Sequence, residues 1–160
     1  MTFAAGDLPT AGELNDGVPR IVYKSVDETI ISNSTMQNDD ELLLTVAAST
    51  KYEFELYMAY NSGTTPDLKI GWTLPTGATN LWHVDYFDTA AAAQKGQSST
   101  VPTTGFAVGG FGSDLYAVFA GTLNISTTAG TMQVQWAQNT LTASNSTVRA
   151  GSFLRLQKIP

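Results

Sequence analysis

Along most of this chain apolar and polar residues alternate one for one, the signature of strands with one face in a core and the other in solvent. The clearest run is Lys51 to Tyr60, where Tyr52, Phe54, Leu56, Met58 and Tyr60 fall on one face and Glu53 and Glu55 on the other. The same alternation predicts strands over Arg20 to Lys24, Glu28 to Ile31, Leu42 to Val46, Asp67 to Leu74, Leu81 to Phe87, Phe106 to Val108, Leu115 to Ile125, Thr131 to Gln138 and Ser152 to Ile159. Roughly ten short strands separated by turn residues predict an all-β sandwich or barrel. Met132, Val134 and Trp136 share one strand face, which assigns Trp136 to the core.

Three segments depart from this alternation. Asp88 can cap a helix over Thr89 to Lys95, because four alanines favour helix and Gly96 would end it. Residues 1–19 read as an arm before the sandwich of residues 20–160. Within the arm Thr10 to Glu13 match a capping box, and Phe3, Leu8 and Leu14 are the apolar side chains that would dock it on a neighbour. Gly109, Gly110 and Gly112, around Phe111, form the loosest stretch and lack the following lysine of a phosphate-binding loop.

Composition narrows the picture. A chain of 160 residues is enough for one domain with a core. Charged residues make up only 14%, below the usual quarter, and from Gly96 to Val148 the only one is Asp114. A long uncharged half rich in aromatics predicts subunit contact, with Phe106, Phe111, Tyr116 and Phe119 as interface candidates. The net charge of −6 and the absence of any Lys/Arg cluster argue against nucleic-acid binding. There is no cysteine, no secretory-type leader in the first twenty residues and no apolar run long enough for a bilayer, so membrane insertion is not expected.

The segments "GTMQVQWAQNT" and "STVRAGSFLRLQKI" (Gly130 to Thr140 and Ser146 to Ile159) resemble the closing hairpin of complement/tumour-necrosis-factor-like jelly rolls, and more closely the version carried by structural proteins of tailed bacteriophages. "FAAGDLPTAGELN" (Phe3 to Asn15) is similar to the start of many phage tail and head accessory proteins, and "DLKIGWTLPTGAT" (Asp67 to Thr79) fits the same group. The resemblance implies a jelly-roll β-sandwich in a homotrimeric virion protein. It is read as a capsid decoration protein that docks on the major capsid protein through its arm, on the capsid exterior. The alternative is a minor tail or receptor-binding protein that contacts other tail proteins or recognises host-surface glycan.

Little in the chain looks catalytic, so no enzyme activity and no cofactor are expected. One histidine, His83, stands two residues from Asp85, which is half a metal site at most. Asp39, Asp40 and Glu41 precede a strand and read as a solvated turn, with part of a calcium site as the rival. Of the tryptophans, Trp72 and Trp136 lie on apolar strand faces. Trp82, beside His83, is the one expected to be exposed, and this pair is the candidate glycan contact.

Overall fold

The computed structural model describes residues 17–90 and 92–159. It is an all-β sandwich of two antiparallel sheets, as the alternation and the jelly-roll resemblance predict. The strands are β1 (Arg20–Tyr23), β2 (Glu28–Ile31), β3 (Gln37–Val46), β4 (Lys51–Ser62), β5 (Leu68–Thr73), β6 (Thr79–Phe87), β7 (Ala93–Ser98), β8 (Phe106–Val108), β9 (Asp114–Asn124), β10 (Gly130–Gln138), β11 (Asn145–Val148) and β12 (Phe153–Ile159). The eight-stranded sheet runs β1-β12-β4-β9-β6-β7, and β11 bridges β2 to the end of β4. The four-stranded sheet runs β3-β10-β5-β8.

The two sheets close on the side chains that the alternation pointed inward. Tyr52, Phe54, Leu56, Met58 and Tyr60 of β4 are all buried against Leu68, Ile70 and Trp72 of β5 and Met132, Val134 and Trp136 of β10. Rings meet edge to face at the centre: Phe54 and Phe119 stand 5.3 and 5.6 Å from Trp72, and Trp82 stands 5.5 Å from it. Such pairs add to the stabilisation that burial itself provides.

The expected helix over Thr89 to Lys95 is not there. Asp88 accepts hydrogen bonds from the backbone N–H of Ala90 and Ala92, both at 2.9 Å, and its own N–H donates to the Ala92 carbonyl. These bonds close a turn, not a helical cap, and Ala93–Ser98 pairs along β6 as an edge strand. An alanine run has helical propensity worth only tenths of a kcal/mol per residue, which a sheet edge outweighs.

The expectation of a solvated turn at Asp39 to Glu41 fails at Asp39, while Asp40 stays exposed and Glu41 half-buried. β10 pairs with β3 through Gln133–Leu43 and then Gln135–Asn38, so Asp39, Asp40, Glu41 and Leu42 bulge opposite the single Val134. A bulge re-aims side chains, and here it turns Asp39 inward until the residue is only 1% exposed. The glycine-rich loop is pinned, not loose. Gly110 N–H donates to Asp67 Oδ1, Gly112 N–H to the Ser62 carbonyl, and the Tyr60 hydroxyl to the Gly109 carbonyl at 2.7 Å.

Candidate functional site

On the outer face of the large sheet, aromatic side chains form a row across five strands. Tyr23 (β1) lies directly opposite Phe153 (β12), and Phe153 directly opposite Tyr57 (β4), while Tyr116 (β9) sits diagonal to Tyr57. Ring centroids follow at 6.0, 5.5 and 6.0 Å. Phe87 (β6) then meets Tyr116 edge-on at 6.5 Å, and Phe111 meets Phe87 at 6.2 Å. Tyr23 is 61% exposed and Tyr116 48% exposed, and the other four rings are half-buried. Outward neighbours on β9 are Val118 and Ala120; Asp85 lies directly opposite the first and Glu55, paired with Arg155 at 3.2 Å, opposite the second, so charged side chains border the row.

The internal geometry of the row limits what it can bind. Tyr57 is near-parallel to both Phe153 (12°) and Tyr116 (15°), an offset stack on each side. Its two π-faces therefore meet its own neighbours, while Tyr23, tilted 55° to Phe153, ends the row at 61% exposure. At the β6 end the face dips into a recess of about 350 Å³ lined by Asp85, Phe87, Gln94, Lys95 and Tyr116. Lys95 Nζ and Asp85 Oδ1 form an exposed ion pair there at 2.8 Å.

Of the four interface candidates, the structure places Phe111 and Tyr116 in this row. Phe119 is 0% exposed, packed between Trp72 and Trp82, so it has no surface to give a partner. Phe106 is half-buried and edge-on to Trp82 at 5.5 Å and Tyr86 at 4.9 Å, which makes it a margin of the core. The uncharged half supplies β9 and β10, two of the strands flanked on both sides in their sheets.

The expected Trp82–His83 contact divides between the two faces. Trp82 is 4% exposed and its indole N–H donates to the Thr100 carbonyl at 2.9 Å, so it belongs to the core. His83 is exposed on the outer face, between β9 and β7. Among the described residues no group of three or more His, Cys, Asp or Glu side chains is arranged to hold a metal ion. No helix among them is long and apolar enough to cross a membrane. The arm residues Phe3, Leu8 and Leu14 lie outside the described residues.

Tyr23, Tyr57, Phe87 and Phe153 were not singled out from the sequence. The signal for Tyr57 was its phase, since it falls out of step with the apolar set on its own strand. Register alone places it beside the others.

A charge cluster holds one end of this scaffold. Arg149 reaches Asp27 at 2.7 Å and Asp114 at 2.8 Å, tying the turn before β12 to the starts of β2 and β9. The Ala150 N–H and Arg149 hold the Asp27 carboxyl below its ordinary range, and Asn61 and Arg149 do the same for Asp114. At the pinned loop, burial pushes the Asp67 carboxyl up, only partly offset by the Gly110 N–H. Burial, reinforced by Asp67, raises the Tyr60 phenol far above its ordinary value.

No protein-family model matches the chain, and no curated protein sequence matches it. Among solved structures it is similar to the tripod from the baseplate of bacteriophage Tuc2009, at 12% identity and a TM-score of 0.40, over 99% of this chain and 77% of that one. It is also similar to the VP2 protein of infectious bursal disease virus, at 13% identity and a TM-score of 0.24, over 89% of this chain and 41% of that one. A third likeness is to modules of the Clostridium thermocellum endo-1,4-β-D-xylanase 10B complexed with xylohexaose, at 8% identity and a TM-score of 0.31, over 88% of this chain and 26% of that one.

Proposed function

We propose that this protein is a non-enzymatic structural component of a bacteriophage virion, a homotrimer whose copies meet through the aromatic face of the large sheet. The observation that carries the reading is the row itself. A contiguous surface band of six aromatic rings bordered by charged side chains has the make-up of an interface, an aromatic centre with a polar rim, and the stacking of Tyr57 between its neighbours suits protein contact. The virion setting rests on the resemblance of the closing hairpin, the opening segment and the Asp67 to Thr79 segment to tailed-phage structural proteins. Within it, decoration of the capsid through residues 1–19, docked on the major capsid protein, is the preferred role. Binding the assembled shell but not its free subunits would stabilise the shell by mass action.

The test is sedimentation of the purified chain and of Tyr116→Glu. Wild type should sediment as a trimer of the 17.0 kDa chain, and Tyr116→Glu as a folded monomer with the wild-type circular dichroism spectrum, because Tyr116 stands outside the core. A wild-type monomer at micromolar concentration, or a trimer indifferent to Tyr116→Glu, would sink the reading of this face.

The recess at the β6 end favours a second reading, a tail protein recognising host-surface glycan. Its mixed lining of an aromatic edge, a carboxylate, an amide and an ammonium is the chemistry of a small polar-ligand site. Saturable glycan binding lost in Lys95→Ala, with the trimer intact, would favour it. Particle imaging that places the chain at the tail and not on the capsid would decide between the roles.

A further inference from the structure

Lys24, in the link between β1 and β2, is 2% exposed, and its ammonium lies between two sheets. Its Nζ is 2.7 Å from Glu28 Oε2 and 2.9 Å from Asp39 Oδ2. Its backbone is clamped on both sides, by Lys24 N–H to the Ser152 carbonyl and by Gly151 N–H to the Lys24 carbonyl. Asp39 is held differently at its two oxygens. Oδ1 accepts from the backbone N–H groups of Glu41 at 3.0 Å and Leu42 at 2.9 Å, both supplied by the β3 bulge. Oδ2 is buried and meets only the lysine. Glu28 is oriented by Gln37, whose Nε2 donates to Oε1 at 2.9 Å, and its side chain keeps 20% exposure. Glu41 stands farther off, 3.9 Å from Nζ, with its carboxylate engaged by Ser25.

We propose that Lys24 and Asp39 are the two halves of an intramolecular amide bond that the folded chain forms by itself, with Glu28 as the proton carrier. The parts match the needs of amide formation. The amine stands beside the carboxyl carbon's departing oxygen. Two fixed N–H donors face the oxygen that gains charge in the tetrahedral intermediate, the arrangement that stabilises acyl transfer. A carboxylate at hydrogen-bond distance from the amine can take its proton and return it.

The step balances without any further reactant. Glu28 takes a proton from the Lys24 ammonium, the freed nitrogen attacks Asp39 Cγ, and Oδ1 carries the negative charge. Collapse of the intermediate breaks the Cγ–Oδ2 bond. Of the three ammonium protons one remains as the amide N–H and two leave with Oδ2 as water, one of them by way of Glu28, which ends as it began.

In dilute solution an ammonium and a carboxylate do not condense. Here Nζ is held 2.9 Å from Asp39 Oδ2 between two buried side chains, and well-oriented groups in contact reach effective concentrations of ~10⁵–10⁸ M. Condensation also replaces two buried charges, costly to keep out of water, by a neutral amide. Burial disfavours the ammonium, but Glu28 and Asp39 outweigh it and hold the lysine charged. The reaction is therefore a slow, single event after folding. Its product would staple the β1–β2 link, on the large sheet, to β3 of the small one.

Intact-mass spectrometry of the full-length folded protein, under denaturing conditions, tests this. The chain should weigh one water less than its sequence, and a digest should contain a branched peptide joining Lys24 to Asp39. Glu28→Gln, which keeps the side chain's shape, should fold and retain the full sequence mass, as should Lys24→Arg. Wild type at full sequence mass after prolonged incubation overturns the proposal. So does a lost water that maps to Asp16-Gly17, where a succinimide would also shed water, or a Glu28→Gln chain that condenses as fully as wild type.

Discussion

Trp136 and Trp72 occupy neighbouring strands of the small sheet, both without exposed surface, and neither indole N–H finds an acceptor among the described residues. Truncating Trp136 to Ala should cost about 3–5 kcal/mol through lost burial and the cavity left behind. Trp136→Phe keeps most of the burial and removes the unpaired N–H, so its thermal melt should fall far less. Equal losses in the two variants would contradict this. Asp67 makes the second prediction. Its φ of 47° is the left-handed region that Asn tolerates as well as Asp, and an Asn Oδ1 can still accept from Gly110 N–H. The folded carboxyl is raised above its ordinary value by burial, so the native state binds its proton more tightly than the unfolded chain. Ionisation then costs stability as pH rises above the ordinary carboxylate value. Asp67→Asn should match wild type near pH 3 and be more stable at pH 7, read by denaturant melts at both values. Asp27 and Asp114 behave in the opposite sense, since their lowered folded values give stability that is present above the ordinary carboxylate range and lost as pH falls below it.

Among the elements, the glycine-rich segment after β8 shows how a loop becomes part of the core. A Cβ on Gly110 would stand 2.5 Å from the Gly63 carbonyl oxygen and 2.6 Å from that of Ser62, and one on Gly109 would stand 2.1 Å from that of Asp88. These are backbone atoms that cannot swing aside. Gly110→Ala should therefore destabilise by about 1–3 kcal/mol, the range for overpacking, and speed hydrogen exchange at Gly112 and Thr140, whose N–H groups bond the Ser62 and Pro66 carbonyls. Unchanged protection there would show that the loop yields. The glycines announced a loop in the sequence; their close approach to the end of β4 depends on which strand passes beneath. The missing helix has the same origin. Asp88 and the alanines satisfy local rules for a helix start, yet the edge of β6 lies within reach and offers a ladder of hydrogen bonds.

For the whole molecule, the aromatic face and the arm make separate contributions to assembly under the proposed function. Deleting residues 1–17 should leave the sandwich folded, because the buried core of the described residues is built from β1 onward. Particles assembled with the truncated chain should lack it. Its normal incorporation would make the arm dispensable. Single substitution of Phe3 by Ala should weaken attachment measurably, since burying such a ring contributes roughly 1.5–3 kcal/mol.

The alternation of side chains by itself determined which residues face the core, because a strand's period of two is local and burial follows it strand by strand. Trp136, Trp72 and the inner face of β4 were legible for that reason. Whether an out-of-phase residue matters is not local. Tyr23, Tyr57, Tyr116 and Phe153 are far apart in the chain, and only strand order and register bring them into one row. The same holds for Lys24, Glu28 and Asp39. Read along the chain, Asp39 belongs to an acidic run that water would ordinarily solvate. The bulge opposite Val134 turns it inward, and its burial against Lys24 follows from how the two sheets close.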